Sequence, residues 1–258
     1  MPAPNPALLH SLRAQLHALA PRARYGVLPF GDARLDGCFA EGGLALGALH
    51  EIAADGIEAE TGAVAAGFIA CLLARLAGTL VWIAPQTDLY APGLLSLGLD
   101  PGRLVLVQTS DDDETLAAME AVLRDGAATP VVAEVGRLGR IASRRLQLAC
   151  LKRGSTGFVL RRWPFGRKAA ATEETASVTR WVVAPAPSAA VHREPGPPRW
   201  RVELEHARGG FEGAWIMEKT DATHPLRVVA ELADAAVAPP PRQRSASGQR
   251  ESRRRAIG

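Results

Sequence analysis

The chain has 258 residues, of which 47% are hydrophobic and 22% are charged. Both fractions lie near the averages of globular proteins, which excludes a fibrous or wholly disordered chain and predicts one ordinary domain with appendages. The net charge is +3, but the last twenty residues alone contain six arginines and one glutamate. Since that end has almost no aliphatic residues to bury, we expect residues 237–258 to form a disordered Arg-rich tail.

Neither the cysteines nor the apolar stretches indicate an exported or membrane-bound protein. Cys38, Cys71 and Cys150 lie far apart and form no C-x-x-C pair, which argues against a disulfide framework or a zinc ribbon and predicts a reducing compartment, the cytoplasm. The longest apolar stretch, residues 62–84, is interrupted by Arg75. We therefore expect it to form a helix followed by a strand, with no membrane span. The proline-broken start of the chain is not typical of a signal peptide.

Hydrophobic periodicity and turn residues divide the chain into alternating helices and strands. In chain order the patterns predict a helix over 7–19, a short helix near 32–39, a strand over about 47–53, a buried helix over 64–77, a buried strand over 80–84, a helix over 92–99, another buried strand over 103–108, a helix over 115–127, a strand over 130–135, a helix over 140–152, and strands over 157–163, 177–186, 199–210 and 213–219. This order predicts an α/β fold with a mostly parallel twisted sheet flanked by helices, and with antiparallel strands toward the C-terminal end.

The same patterns divide the chain into four parts. We expect an N-terminal helix and linker over 1–24, a core over 25–186, a C-terminal extension over 187–236 and the tail over 237–258. The extension begins with a proline-rich linker, which is typical of a boundary between parts of a chain.

No set of residues has the spacing of a metal site. The six histidines have no cysteine or carboxylate at a metal-ligand spacing. The acidic run from Asp111 to Glu114 opens a predicted helix, so we expect its carboxylates to cap free backbone N–H groups; a metal site is the alternative. We predict that the protein holds no metal and no other cofactor.

A glycine-rich run followed by a strand and an apolar helix resembles the entry to the ATP-binding core of the RecA recombinase family. The matching residues are Leu35-Asp36, then Gly42-Gly43-Leu44, then a strand that contains Glu51-Ile52. In that family the next element is the phosphate loop, G-x-x-x-x-G-K-(S/T), whose glycines let backbone N–H groups approach the phosphates and whose lysine neutralises them. The resemblance implies a RecA-like core.

The phosphate-loop motif is almost entirely replaced in this chain. Its two glycine positions hold Ala54 and Ala59, its lysine position holds Glu60, and only Thr61 matches. Two like charges about 4 Å apart repel by on the order of 4 kcal/mol at an effective dielectric constant of about 20. A glutamate in place of the lysine therefore predicts that this loop does not bind a nucleoside triphosphate.

Two further positions of the RecA-like pattern bear on catalysis. The resemblance places Gln86 where that family has its catalytic glutamate, and an amide cannot take a proton from water. It places Glu134 where that family has its metal-supporting aspartate. We interpret Glu134 as a carboxylate at the end of a strand with a local partner, and a magnesium ligand is the alternative. The protein is therefore predicted not to be an enzyme, with an NTPase that has an atypical nucleotide site as the alternative.

Motifs along nearly the whole chain are similar to those of the ImuA family, RecA-like accessory proteins of the bacterial SOS response. They are LPFGDARLD, EGGLALGALHEI, VWIAP, PVVAEVGRLG, LRRWPFG and RWRVELEHARGG. The resemblance implies a non-catalytic protein that bridges an ImuB-like protein and an error-prone DnaE-type polymerase during translesion synthesis, with RecA and single-stranded DNA as further candidate partners. A cell-division inhibitor of the SulA type, also a degenerate RecA relative, is the alternative, but such chains are shorter and lack the C-terminal extension.

A basic segment between 135 and 172 contains the candidate DNA contacts. The segment has ten lysines and arginines and no acidic residue, and in RecA-like folds the loops that follow these strands face DNA. Cations alternating with aromatic rings are typical of single-strand binding. The candidates are Arg161, Arg162, Trp163, Phe165, Arg167 and Lys168. A protein-binding loop and a plain solvated surface are the alternatives.

Large aromatic residues in the C-terminal extension are candidate partner-binding residues. Trp200, Phe211 and Trp215 lie in a region expected to be thinly packed, and aromatic residues often dominate the energetics of protein interfaces. The alternative is that the three side chains cover one end of the sheet.

Overall fold

The computed structural model describes residues 15, 23–86, 88–126, 128–163, 174–188, 196–220 and 226–232, without the side chains of residues 58 and 59. The predicted helix over 7–19 lies outside these ranges except for residue 15, which is helical. The tail over 237–258 and the candidate DNA contacts Phe165, Arg167 and Lys168 also lie outside them.

One nine-stranded mixed sheet forms the centre of the molecule, in the order β11-β10-β9-β8-β3-β7-β6-β4-β5. Its strands are β3 (Leu49–Ala54), β4 (Leu80–Ala84), β5 (Leu104–Gln108), β6 (Val131–Val135), β7 (Gly157–Arg161), β8 (Thr179–Pro185), β9 (Arg199–Ala207), β10 (Gly213–Lys219) and β11 (Leu226–Glu231). β8, β3, β7, β6, β4 and β5 are parallel, and β9 to β11 continue the sheet as antiparallel strands. A separate antiparallel pair joins β1 (Val27–Leu28) to β2 (Leu44–Ala45). The predicted α/β fold is confirmed.

Helices flank the parallel part of this sheet. They are α1 (Ala33–Asp36), α2 (Glu58–Leu73), α3 (Ala91–Ser96), α4 (Asp112–Asp125) and α5 (Arg140–Arg153). The carboxylate of Asp111 accepts a hydrogen bond from the backbone N–H of Glu114 at 2.9 Å, as the predicted cap of α4 requires. α5 ends at Arg153 and is capped by Gly154, whose φ of 79° is easily adopted only by glycine.

Two apolar clusters cover the two faces of the sheet. On one face Phe68 and Ile69 of α2 pack in the same cluster as Trp82 and Trp181 of the sheet. On the other face α4 and α5 pack on strand residues such as Leu49 and Val159. Because successive strand residues point to opposite faces, the central strands are apolar on both sides, which explains their nearly continuous hydrophobic sequences.

The prediction that residues 103–108 form a buried strand is wrong in one respect. β5 does form there, but it is the last strand of the sheet, and Val105 and Leu106 are exposed. A short apolar run has the same composition at the edge of a sheet as at its centre, so the sequence pattern does not reveal the strand order.

The C-terminal strands belong to the same core as the parallel strands. β9 pairs with β8 from Thr179–Ala207 to Pro185–Trp200, and Trp200 and Trp215 lie in the cluster that contains Phe68. β9 alternates buried and half-exposed residues, as the pattern of its sequence predicts. β11 was not predicted. The described strands of residues 199–231 therefore extend the same sheet, and the boundary at residue 187 stays a prediction.

A chain that ends at Pro185 is expected to lose cooperative unfolding. It would lack the antiparallel partner of β8 and would remove Trp200 and Trp215 from the main apolar cluster. Urea denaturation followed by circular dichroism measures this effect. A chain that ends at Ala236 is the control, because it removes only the tail that the composition predicts to be disordered, and it should unfold like the full chain. Equal unfolding midpoints for the two truncated chains would contradict the shared core.

Candidate functional site at the carboxyl edge of the sheet

The positions aligned with the nucleotide site follow the carboxyl ends of three parallel strands, which is where open α/β sheets bind ligands. The aligned loop follows β3, Gln86 follows β4 and Glu134 lies near the end of β6. Gln86 and Glu134 line one crevice of about 300 Å³, together with Asp88, Asp112 and Arg162. Among the side chains that the structure describes, none of residues 54–57, 60 and 61 lines this crevice.

The link between β3 and α2 is short, and its backbone packs directly against the first turn of α2. Only residues 55–57 separate the end of β3 from the start of α2. Gly56 has a φ of 137°, and a Cβ atom built on it would lie 2.7 Å from Cγ2 of Thr61. The hydroxyl of Thr61, the one residue that matches the phosphate-loop motif, donates to the carbonyl of Ile57 at 3.0 Å. That hydroxyl is therefore engaged within the first turn of α2.

Acidic side chains surround this link. The carboxylate of Asp55 is bound by the guanidinium of Arg201 from β9, and the backbone N–H of Asp55 donates to Val183 at 2.8 Å. Glu60, at the position of the motif's lysine, is exposed. The link is thus held by β8 and β9, and the carboxylate of Glu60 places a negative charge at its surface.

Glu134 is buried in β6, and its carboxylate has two donors. Nε1 of Trp82 and Nε of Arg162 each donate to it at 2.6 Å, and Arg162 also pairs with Asp88 at 3.2 Å. Burial raises the pKa of Glu134 above its ordinary value, while the hydrogen bond from Arg162 opposes that rise. The interpretation of Glu134 as a strand-end carboxylate with a local partner agrees with this geometry.

Glu51 of β3 and Arg161 of β7 form a buried ion pair. Nη1 of Arg161 lies 2.7 Å from Oε1 of Glu51, and the two side chains are only 6% and 4% exposed. The hydroxyl of Thr175 donates to the other carboxylate oxygen at 2.6 Å. The guanidinium of Arg161 also donates to the carbonyl of Gly136 at 3.0 Å and lies over the ring of Trp163. The pair therefore joins β3, β7 and the loop after β6.

The candidate DNA contacts do not form an exposed basic patch within the described residues. Arg161 was predicted to face DNA, and its side chain is buried against Glu51, so it offers DNA no exposed cation. Arg162 is paired with Glu134 and Asp88, and the indole N–H of Trp163 donates to Gly136 at 3.2 Å. The partner of Arg161 is 110 residues away in the chain, and no local pattern in the sequence identifies it.

The candidate partner-binding tryptophans are internal. Trp200 and Trp215 are buried, and the indole N–H of Trp200 donates to the carbonyl of Val64 in α2 at 3.1 Å. Phe211 is half-buried, and its backbone N–H donates to the carbonyl of Cys38. The two tryptophan side chains therefore belong to the main apolar cluster on one face of the sheet, and neither is exposed.

The described part of the chain has neither a metal-binding cluster nor a helix that could cross a membrane. No three side chains of histidine, cysteine, aspartate or glutamate lie together there in a metal-binding arrangement. No helix there has both the length and the apolar character that a bilayer crossing requires.

Glu51→Ala is expected to destabilise the fold by about 3 kcal/mol, because it leaves Arg161 buried without its carboxylate. Arg145→Ala is the matched control. It removes an ion pair with Glu120 in which the arginine is exposed, and such pairs contribute less than about 1 kcal/mol. Urea unfolding of the two variants gives both free energies. Similar losses in the two variants would contradict a special role for the buried pair.

Comparison with known proteins identifies close relatives. The chain is 46% identical over 225 residues to proteins described as "Protein ImuA" in two strains of Caulobacter vibrioides. The match covers 82% of this chain and 92% of each relative. No family model matches the chain.

Proposed function

The chain belongs to the ImuA family, and from this premise we propose that it is a non-catalytic accessory protein of damage-inducible mutagenesis. Membership of the family supports the accessory role. The absence of catalysis is a separate part of the proposal, and it depends on the residues at the carboxyl edge of the sheet.

One observation carries the proposal of a non-catalytic protein. The carboxylate that would support a metal ion in a nucleotide site, that of Glu134, is already hydrogen-bonded to other side chains of the chain. The carboxylate of Glu134 is bound by Trp82 and Arg162, so a magnesium ion would have to displace an arginine. Asp55 is bound by Arg201, and Glu60 is exposed at the lysine position. Negative charge at the start of α2 repels phosphate and also complements the helix dipole, which removes the attraction that such a helix end offers an anion.

In its accessory role the protein joins an ImuB-like protein to an error-prone DnaE-type polymerase, so that damaged DNA is copied. RecA and single-stranded DNA are further candidate partners. Family membership supports this assignment. Within the described residues Arg161, Trp200 and Trp215 are buried. We therefore expect the surfaces that contact these partners to lie on other residues.

Titration with a fluorescent ATP analogue and magnesium is expected to show no saturable binding below about 1 mM. The variant Ala54→Gly/Ala59→Gly/Glu60→Lys restores the residue types of the phosphate loop. It should still not hydrolyse ATP, because Gln86 cannot act as a general base. Micromolar binding by the natural chain that disappears in Glu134→Ala would contradict the proposal and favour an atypical NTPase.

Copurification of the tagged full-length chain with each separately expressed partner tests the accessory role. We expect the ImuB-like protein or the DnaE-type polymerase to be retained at 0.15 M salt. The division protein FtsZ serves as the comparison, because a SulA-type inhibitor would bind it. Retention of FtsZ alone would overturn the accessory role.

A further inference from the structure

The outward face of α5 carries exposed aliphatic side chains. Ile141 is 80% exposed, Leu148 is 56% exposed and Leu151 is 37% exposed. Isolated exposed leucines are common on protein surfaces, but here three lie on one helix of fourteen residues. Other residues of α5, among them Leu146 and Cys150, pack on the sheet and leave Ile141 and Leu148 exposed.

These three residues form a single stripe. Ile141 and Leu148 are seven residues apart, which is two helical turns and about 10 Å along the axis, and Leu151 lies one turn further. Spacings of three, four and seven residues are those through which two helices pack side by side. We call the stripe together with the exposed cations beside it the α5 face.

The cations of the α5 face are Arg140, Arg144, Arg145 and Lys152, all exposed. Arg145 is paired with Glu120 of α4. α5 itself contains no acidic residue, and none occurs anywhere between residues 135 and 172. The charge of this surface is therefore positive on both sides of an aliphatic centre, and it complements a negatively charged partner.

We propose that the α5 face binds an acidic amphipathic helix that belongs to a protein of the mutagenesis complex. The inference rests on the proposed function and adds the surface and the chemistry of contact. The partner helix presents aliphatic residues to Ile141 and Leu148 and carboxylates to Arg144 and Lys152. A protein segment suits this face better than single-stranded DNA, because α5 has no aromatic residue on which a base could stack.

Paired variants of the full-length chain test the proposal against the purified ImuB-like protein and, separately, the DnaE-type polymerase. Ile141→Ser/Leu148→Ser should raise the dissociation constant for one of the two proteins at least tenfold. Arg144→Glu/Lys152→Glu should do the same, and binding by the natural chain should weaken as salt rises from 0.1 to 0.5 M. Leu95→Ser is the control, because it removes a 61% exposed leucine from α3, and it should leave both constants unchanged. Thermal unfolding checks that every variant remains folded.

Each other outcome has a definite meaning. If both double variants of the α5 face bind both proteins with unchanged affinity, the proposal that this face binds a partner is overturned, while the accessory role stays intact. Loss of binding to an oligo-dT strand, with protein affinities unchanged, would make the α5 face a nucleic-acid surface and would also overturn the proposal. If the natural chain binds neither protein, the proposed function itself fails.

Discussion

Two neighbouring arginines at the end of β7 neutralise buried carboxylates on the two strands beside it. Successive residues of a strand point to opposite faces, so Arg161 reaches Glu51 of β3 on one face and Arg162 reaches Glu134 of β6 on the other. A buried carboxylate without a partner would be costly. The two contacts therefore satisfy both carboxylates from within the chain, with Asp88 and Thr175 completing the networks.

The sequence predicts most of the fold because its elements have clear periods and boundaries. The alternation of helices with short apolar strands was enough for a parallel α/β sheet, and the acidic residues before α4 marked its start. The pattern of elements does not determine the order of the strands in the sheet. β5 was therefore expected to be buried, although it lies at the edge. β11 was missed, since it pairs only with β10 and its sequence, Leu226–Glu231, has weak alternation.

The candidate site was less accessible to sequence reasoning than the fold. Residue type alone identified the substitutions at Glu60 and Gln86, because a motif assigns a chemical role to each position. The same approach failed for Arg161 and Trp200, which are buried by partners far away in the chain. Arginine and tryptophan are common both in interfaces and in internal networks, so their identity does not separate the two environments. The sequence of α5 does show the aliphatic residues of the exposed stripe. Because α5 also has apolar residues that face the sheet, the sequence does not reveal which of them are exposed.

The position of β3 at the middle of the sheet has a consequence for synthesis on the ribosome. β3 pairs with β7 and β8, and the contact between His50 and Thr179 spans 129 positions of the chain. β4 pairs with β5 and β6, which follow it closely in the chain and are therefore synthesised much sooner after it. At bacterial elongation rates the first half of the nascent chain waits on the order of ten seconds for these late strands. During that interval β3 and the apolar α2 lack the cover that β7, β8 and β9 provide, so we expect newly made chains to depend on chaperones just when damaged cells need the protein.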